Sequence, residues 1–374
     1  MLNSMRRARS GHLAAFAALV LLLGACADPP SASPSPPEAS ASADAPTPTD
    51  APSPVAESQA ASPEPEPDPI AWSQLEGSAP PAREDHTWTV DPDSGIAYLF
   101  GGRDGATVFG DTWAYDLTAD TWTELAPAST PEPRFGHEAV WADGIGLVIF
   151  AGQAGSTFFG DLWAYDPTAN DWSQLPANGA VPTPRYGSCA GIGPDGRLWI
   201  SHGFTQDQVR FSDTRAYDFE TTTWTDETPA EGGRPVERCL HGCWWTEEGD
   251  LALYAGQTTG TTALDDRWTL SDGTWSAVEG TLPPGRNLYA RVRQDGATIV
   301  FGGQAVDGSY LGDTWILADG SADAEALELP AEGPQPTGRA GAELVADPER
   351  NRILLFGGRT ADGGLNDLWV LSGL

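Results

Sequence analysis

From about residue 70 to the C-terminus, apolar positions either alternate with polar ones or run for only four to six residues, and they never recur at helical spacing. Turn-forming clusters such as Asp91-Pro92-Asp93-Ser94-Gly95 and Pro194-Asp195-Gly196 bound these runs. Short segments of this kind predict strands joined by hairpins. The pattern repeats. An apolar run ending in Gly returns as Leu99-Phe100-Gly101-Gly102, Ile149-Phe150-Ala151-Gly152, Ile200-Ser201-His202-Gly203, Tyr254-Ala255-Gly256, Val300-Phe301-Gly302-Gly303 and Leu355-Phe356-Gly357-Gly358. The last Gly of each lies 50, 51, 53, 47 and 55 residues from the one before. About ten residues further on comes an Asp-x-Trp signal, at Asp111-Thr112-Trp113, Asp161-Leu162-Trp163, Asp266-Arg267-Trp268, Asp313-Thr314-Trp315 and Asp367-Leu368-Trp369, with Asp213-Thr214-Arg215 in the third copy. A second Trp column follows at Trp122, Trp172, Trp224 and Trp275, with Ala326 in the fifth copy.

Four short antiparallel strands per fifty-residue unit, repeated six times, predict a six-bladed β-propeller over residues 71–374, an all-β fold. The Gly pairs, the Asp-x-Trp signals and the later Trp together resemble kelch repeats, in the form also found in the central domain of galactose oxidases. The ends of the body match. The sixth copy stops after Trp369-Val370-Leu371-Ser372, one strand short, while Trp72-Ser73-Gln74-Leu75 matches Trp122-Thr123-Glu124-Leu125. The N-terminal strand is therefore expected to complete the last blade, which removes the open edges of the ring. Ten of the 15 Trp fall in the two columns, and repetition in every unit is what packing between blades requires.

The first 70 residues follow a different pattern. Arg6, Arg7 and Arg9 precede an apolar stretch, Leu13 to Leu23, too short to span a bilayer, so residues 1–25 read as a secretory signal. Leu23-Gly24-Ala25-Cys26 resembles the lipobox of bacterial lipoproteins, which implies that Cys26 is lipidated. Residues 26–70 are Ala, Ser, Pro, Thr and acids, a composition that cannot bury enough apolar surface to order itself. At about 3.1 Å per residue such a linker reaches on the order of 130 Å. The expected arrangement is a lipid anchor and disordered stalk holding a monomeric propeller off the outer face of a bacterial cell membrane.

Charge narrows the partners. The chain carries 53 acids, 20 Arg and no Lys, for a formal charge of -33. A body this acidic is repelled by nucleic-acid phosphates. Within it, 45 acids face 17 Arg from Ala71 onward, and six of those Arg share one position: Arg83, Arg134, Arg185, Arg238, Arg286 and Arg339 each open a first strand. Three residues later stand His86, His137, Ser188, His241, Tyr289 and Ala342. Arg103, Gln153, Phe204, Gln257, Gln304 and Arg359 directly follow the Gly runs. In a propeller these positions are expected around one opening of the central channel, so they predict a cationic mouth of Arg, His and Gln. Guanidinium forks suit carboxylates, and an acidic glycan or an envelope protein is the ligand expected from them.

The chemistry for catalysis is sparser. Cys189, Cys239 and Cys243 lie on inner strands, and an extracytoplasmic disulfide between Cys189 and Cys243 is the simplest pairing. Galactose oxidases use a copper site with a Tyr joined to Cys, whereas this chain offers Tyr289 without a recognisable copper set, and neither a metal nor another cofactor is expected. Sialate mutarotases are six-bladed kelch proteins of the bacterial envelope. That likeness implies an alternative, acid/base chemistry on a sugar with Glu84, Asp85 or Glu237. A non-enzymatic binding module is the favoured expectation.

Overall fold

The structure is a computed structural model that describes residues 69–374, apart from 231, 261 and 262. The expected signal, Cys26 and the expected linker through residue 68 lie outside the described residues. Six sheets of four or five strands follow one another along the chain, antiparallel except for a short parallel pair, Asn178–Gly179 against Thr223–Asp226, at the edge of the third. The first blade is typical. Thr87–Asp91, Ile96–Phe100, Thr112–Asp116 and Thr121–Leu125 pair in simple up-and-down order. Its turn signals sit where the alternation breaks, and Asp91 accepts from the Asp93 amide and the Ser94 hydroxyl to hold the first hairpin.

The inner strands are Thr87–Asp91, Glu138–Ala142, Cys189–Ile192, Gly242–Trp245, Ala290–Gln294 and Ala340–Asp347, and the sixth packs against the first. Ala71–Leu75 pairs antiparallel with Leu368–Ser372, so the outermost strand of the last blade comes from the start of the body. The predicted six-bladed ring and its closure are both present.

Packing between blades explains the repeated aromatics. The Phe two residues before the last Gly of a run meets the second-column Trp of the following blade: Phe100 with Trp172 at 5.0 Å, Phe150 with Trp224 at 5.2 Å, Phe301 with Trp72 at 5.4 Å and Phe356 with Trp122 at 4.9 Å. One assignment shifts. Trp315 pairs with Ala326, as Trp113 pairs with Glu124, so Ala326 takes an exposed outer position and is not the fifth second-column residue. Ala324 is the buried one, packed in a cluster with Leu317 and flanked by Leu282. The second Gly of each run is constrained by close approach. Gly102 has φ +95°, and a Cβ there would lie 2.8 Å from the His86 Cβ; Gly256 repeats this against His241 at 2.6 Å.

Candidate functional site: the loop face and the central channel

The six Arg at the strand entries are buried and spoken for. Each guanidinium grips the Asp of its own blade's Asp-x-Trp signal with two hydrogen bonds, as Arg83 does to Asp111 at 2.8 and 2.8 Å and Arg286 to Asp313 at 2.9 and 2.9 Å. Arg134, Arg185, Arg238 and Arg339 hold Asp161, Asp213, Asp266 and Asp367 in the same way. Nη1 also donates to the carbonyl that precedes the second Gly of the run, and Nε to a carbonyl two residues back. The Asp accepts a further bond from the indole N–H of Trp113, Trp163, Trp268, Trp315 or Trp369, and in the third blade from Nε of Arg215. Burial works against the ionised form of these Asp, but the bonds and charge of the Arg outweigh it and hold them below the ordinary carboxylate range. The expected cationic mouth is corrected here: these Arg are six structural clamps with no fork left for a ligand.

The His column is likewise internal. His86, His137 and His241 are buried, and burial followed by nearby positive charge keeps them neutral, with His137 pushed down to about 3. His137 Nε2 bonds the Thr87 hydroxyl of the preceding blade, and its ring meets Phe100 edge-on. Tyr289 is buried between blades, accepting from the Gly242 amide and donating to the Tyr254 carbonyl. None of these four side chains is presented at an opening. Cys189 and Cys243 form a disulfide joining the inner strands of blades three and four, and Cys239 is a buried free thiol. Among the described residues no group of three or more His, Cys, Asp or Glu is placed to hold a metal ion.

The residues after the Gly runs do share one face. Each pairs with the residue that follows a clamp Arg: Arg103 with Glu84, Gln153 with Phe135, Phe204 with Tyr186, Gln257 with Cys239, Gln304 with Asn287 and Arg359 with Ala340. Arg103 binds Glu84 and Asp85 at 3.3 and 2.9 Å, and Arg359 binds Glu84 at 2.8 Å. Burial and the neighbouring Asp85 push Glu84 up to about 7 against the pull of the two Arg. Gln153 and Gln304 turn back onto loop carbonyls. Across blades one to three runs an aromatic strip. Arg103 lies over Phe135 at 4.2 Å, Phe135 meets Tyr186 at 5.7 Å, Phe158 meets Phe204 at 5.9 Å, and Arg210 lies over Phe204 at 5.4 Å. Among the described residues four large apolar side chains stand out as exposed, Val181, Val209, Val236 and Val306, at 45 to 60 %. All four sit on loops of this face, either entering a first strand or following a second.

Beneath that face the chain builds a collar invisible in side-chain patterns. The residue two beyond each clamp Arg has a left-handed backbone: Asp85, Gly136, Gly187, Leu240, Leu288 and Gly341, with φ between 52° and 68°. Each donates its amide to the carbonyl of the preceding blade's equivalent, at 2.8 to 3.2 Å, so six hydrogen bonds run in a closed circle around the axis. Below the collar the channel holds two carboxyls, Glu138 and Glu343, with Arg291. Arg291 Nη2 stands 3.7 Å from Glu138 Oε2. Both Glu are only partly exposed, and burial pushes each up to about 8 despite Arg291.

A closed ring of six four-stranded blades, each locked by an Arg–Asp clamp, completed by a Trp in five blades and by Arg215 in the third, and by a Gly turn, defines a kelch-type propeller. The chain belongs to the kelch-repeat family: the family model for the KLHDC2/KLHL20/DRC7 Kelch-repeats domain matches residues 68–256. Comparison with curated proteins finds no match. The fold is that of a protein-interaction module.

Proposed function

We propose that this protein is a secreted kelch propeller, anchored through lipid on Cys26 to the outer face of the bacterial membrane, that docks an envelope protein on its loop face. The observation that carries the reading is the gathering of every exposed large apolar side chain of the described residues onto that one face, beside the half-buried Tyr186, Phe158 and Phe204. Apolar groups flanked by Arg103 and Arg210 match the composition of a contact core, rich in aromatics and Arg and poor in Lys and Glu. An anionic glycan is the weaker ligand. Of the Arg once assigned to it, six are engaged by Asp, and Arg103 and Arg359 face Glu84 and Asp85.

The reading is tested with a photo-reactive amino acid placed at Val209 on the loop face or at Asp272 on the opposite face, in cells making the full chain. A discrete cross-linked envelope protein from position 209 alone supports it. Equal cross-linking from both positions, or from 272 alone, contradicts it.

A further inference from the structure

The one parallel pair among the described residues is a strap on the outer edge of blade three, where Asn178–Gly179 lies against Thr223–Asp226. Its latch is Asn178. The Asn178 backbone N–H donates to the Thr222 carbonyl at 3.1 Å, and Nδ2 donates to the same carbonyl at 3.2 Å and to the Thr222 hydroxyl at 3.1 Å. Thr222 is strained, because its φ of +54° is a left-handed backbone that disfavours a β-branched residue. The matching residues of blades one and two, Asp120 and Asn170, are left-handed too, but each accepts from a Tyr of its own blade, Tyr115 or Tyr165. In blade three the Tyr217 hydroxyl donates to the Pro176 carbonyl of the strap instead, which leaves Asn178 to hold the turn.

The strap also carries the chain's single Asn-Gly step. Only Gly fits at 179: its φ is +74°, and a Cβ there would lie 2.5 Å from the Trp224 carbonyl oxygen. The amides of Asn178 and Ala180 donate to the carbonyls of Thr222 and Trp224, and the Gly179 N–H between them finds no partner among the described residues. Asn178 Oδ1 accepts no hydrogen bond from them either, and both residues are exposed. An unbonded backbone nitrogen with no Cβ beside it, one residue after an exposed side-chain amide, is the arrangement that cyclises. A two-residue pair at a sheet edge opens at little free-energy cost, which lets the two atoms meet.

We infer that Asn178 is a site of spontaneous deamidation that unlatches the strap from blade three. The Gly179 nitrogen gives up its proton to water or hydroxide and attacks Asn178 Cγ. The N–Cγ bond forms, the Cγ–Nδ2 bond breaks, and Nδ2 takes up a proton and leaves as ammonia, closing a five-membered imide. Water then opens either carbonyl of the imide, giving aspartate or isoaspartate. Both products replace the two Nδ2 donor bonds by a carboxylate that only accepts, set against the Thr222 carbonyl. Isoaspartate also lengthens the backbone by one carbon, which breaks the register with Thr223 and Trp224.

The test is to hold the folded full chain at mildly alkaline pH, following each Asn by peptide mapping with mass spectrometry and the strap by hydrogen exchange. Loss of the amide is expected at Asn178, to a mixture of aspartate and isoaspartate, faster as the pH rises, while Asn170, Asn287, Asn351 and Asn366 keep theirs. Exchange protection of the Ala180 amide is expected to disappear in step with that conversion, and Asn178→Asp is expected to lack it from the start. An Asn178 amide that survives in the folded chain but is lost in urea overturns the inference, since the fold then guards the site. Conversion no faster than at Asn351 overturns it too, and so does a strap that stays protected both in the converted chain and in Asn178→Asp. The wild-type measurement needs no variant to fold, and its outcome is independent of cross-linking at the loop face.

Discussion

At the scale of single residues, a clamp Arg does four things at once: it closes a blade against its own Asp, caps a Gly-run carbonyl, ties down its own entry loop and, in the first three blades, stacks on a Phe at 4.0 to 4.4 Å. Removing one leaves an ionised Asp facing an empty, largely dry space. Arg134→Ala is expected to cost about 3 kcal/mol, the lower end for a broken buried pair because Asp161 keeps some water contact; urea unfolding measures it. The partnership was legible in principle. Arg and Asp stand 27 or 28 residues apart in all six copies. A residue repeated in every blade serves what every blade needs, and reading the Arg column without its Asp partner suggested a ligand site instead. Glu138 and Glu343 gave no such signal, because their column otherwise holds Thr87, Cys189, Gly242 and Ala290. Their raised acidity has a testable sign. A carboxyl lifted from its ordinary value to about 8 contributes stability that is fully present below pH about 4.5 and lost as the pH climbs through 8. Glu343→Gln escapes that loss, so its melting temperature relative to wild type should rise between pH 6 and pH 9 in a thermal-shift series. A difference that stays flat with pH would refute the assignment.

At the scale of elements, closure was written in the chain as a sixth copy one strand short and an N-terminal Trp72-Ser73-Gln74-Leu75 that matches Trp122-Thr123-Glu124-Leu125, and the two ends pair with Trp72 opposite Leu371. A chain starting at residue 77 should leave Leu368–Ser372 as an open edge and self-associate, a change that light scattering detects. The collar was not legible. Its requirement is a left-handed backbone at one position per blade, and Leu240 and Leu288 meet it beside three Gly, so no residue type marks it. The disulfide staples neighbouring blades at the same radius. Closing a 54-residue separation limits the unfolded chain enough to contribute up to about 4 kcal/mol. Replacing both Cys189 and Cys243 by Ser should lower the denaturant midpoint without changing the number of blades, as checked by unfolding and circular dichroism.

At the scale of the whole molecule, the acidic excess keeps its meaning while its geography changes. The body holds 45 acids against 17 Arg, and six of those Arg are interior clamps. What distinguishes the loop face is therefore not positive charge but exposed valines and half-buried aromatic rings, set on loops whose strands the clamps make rigid. Sequence periodicity could locate those loops, but it could not tell which side chains on them stay uncovered. The account separates two adjacent residues with different duties. Arg185 holds Asp213 in the interior, and Tyr186 belongs to the face. The most direct measurement is to put Arg185→Gln and Tyr186→Ala separately into the chain carrying the photo-reactive group at position 209, and to record melting temperature and cross-link yield per folded molecule. Arg185→Gln should lower the melting temperature by several degrees and leave the yield intact, while Tyr186→Ala should abolish the yield and change the melting temperature little. The reverse pattern, with Arg185 needed for capture and Tyr186 dispensable, would contradict the account.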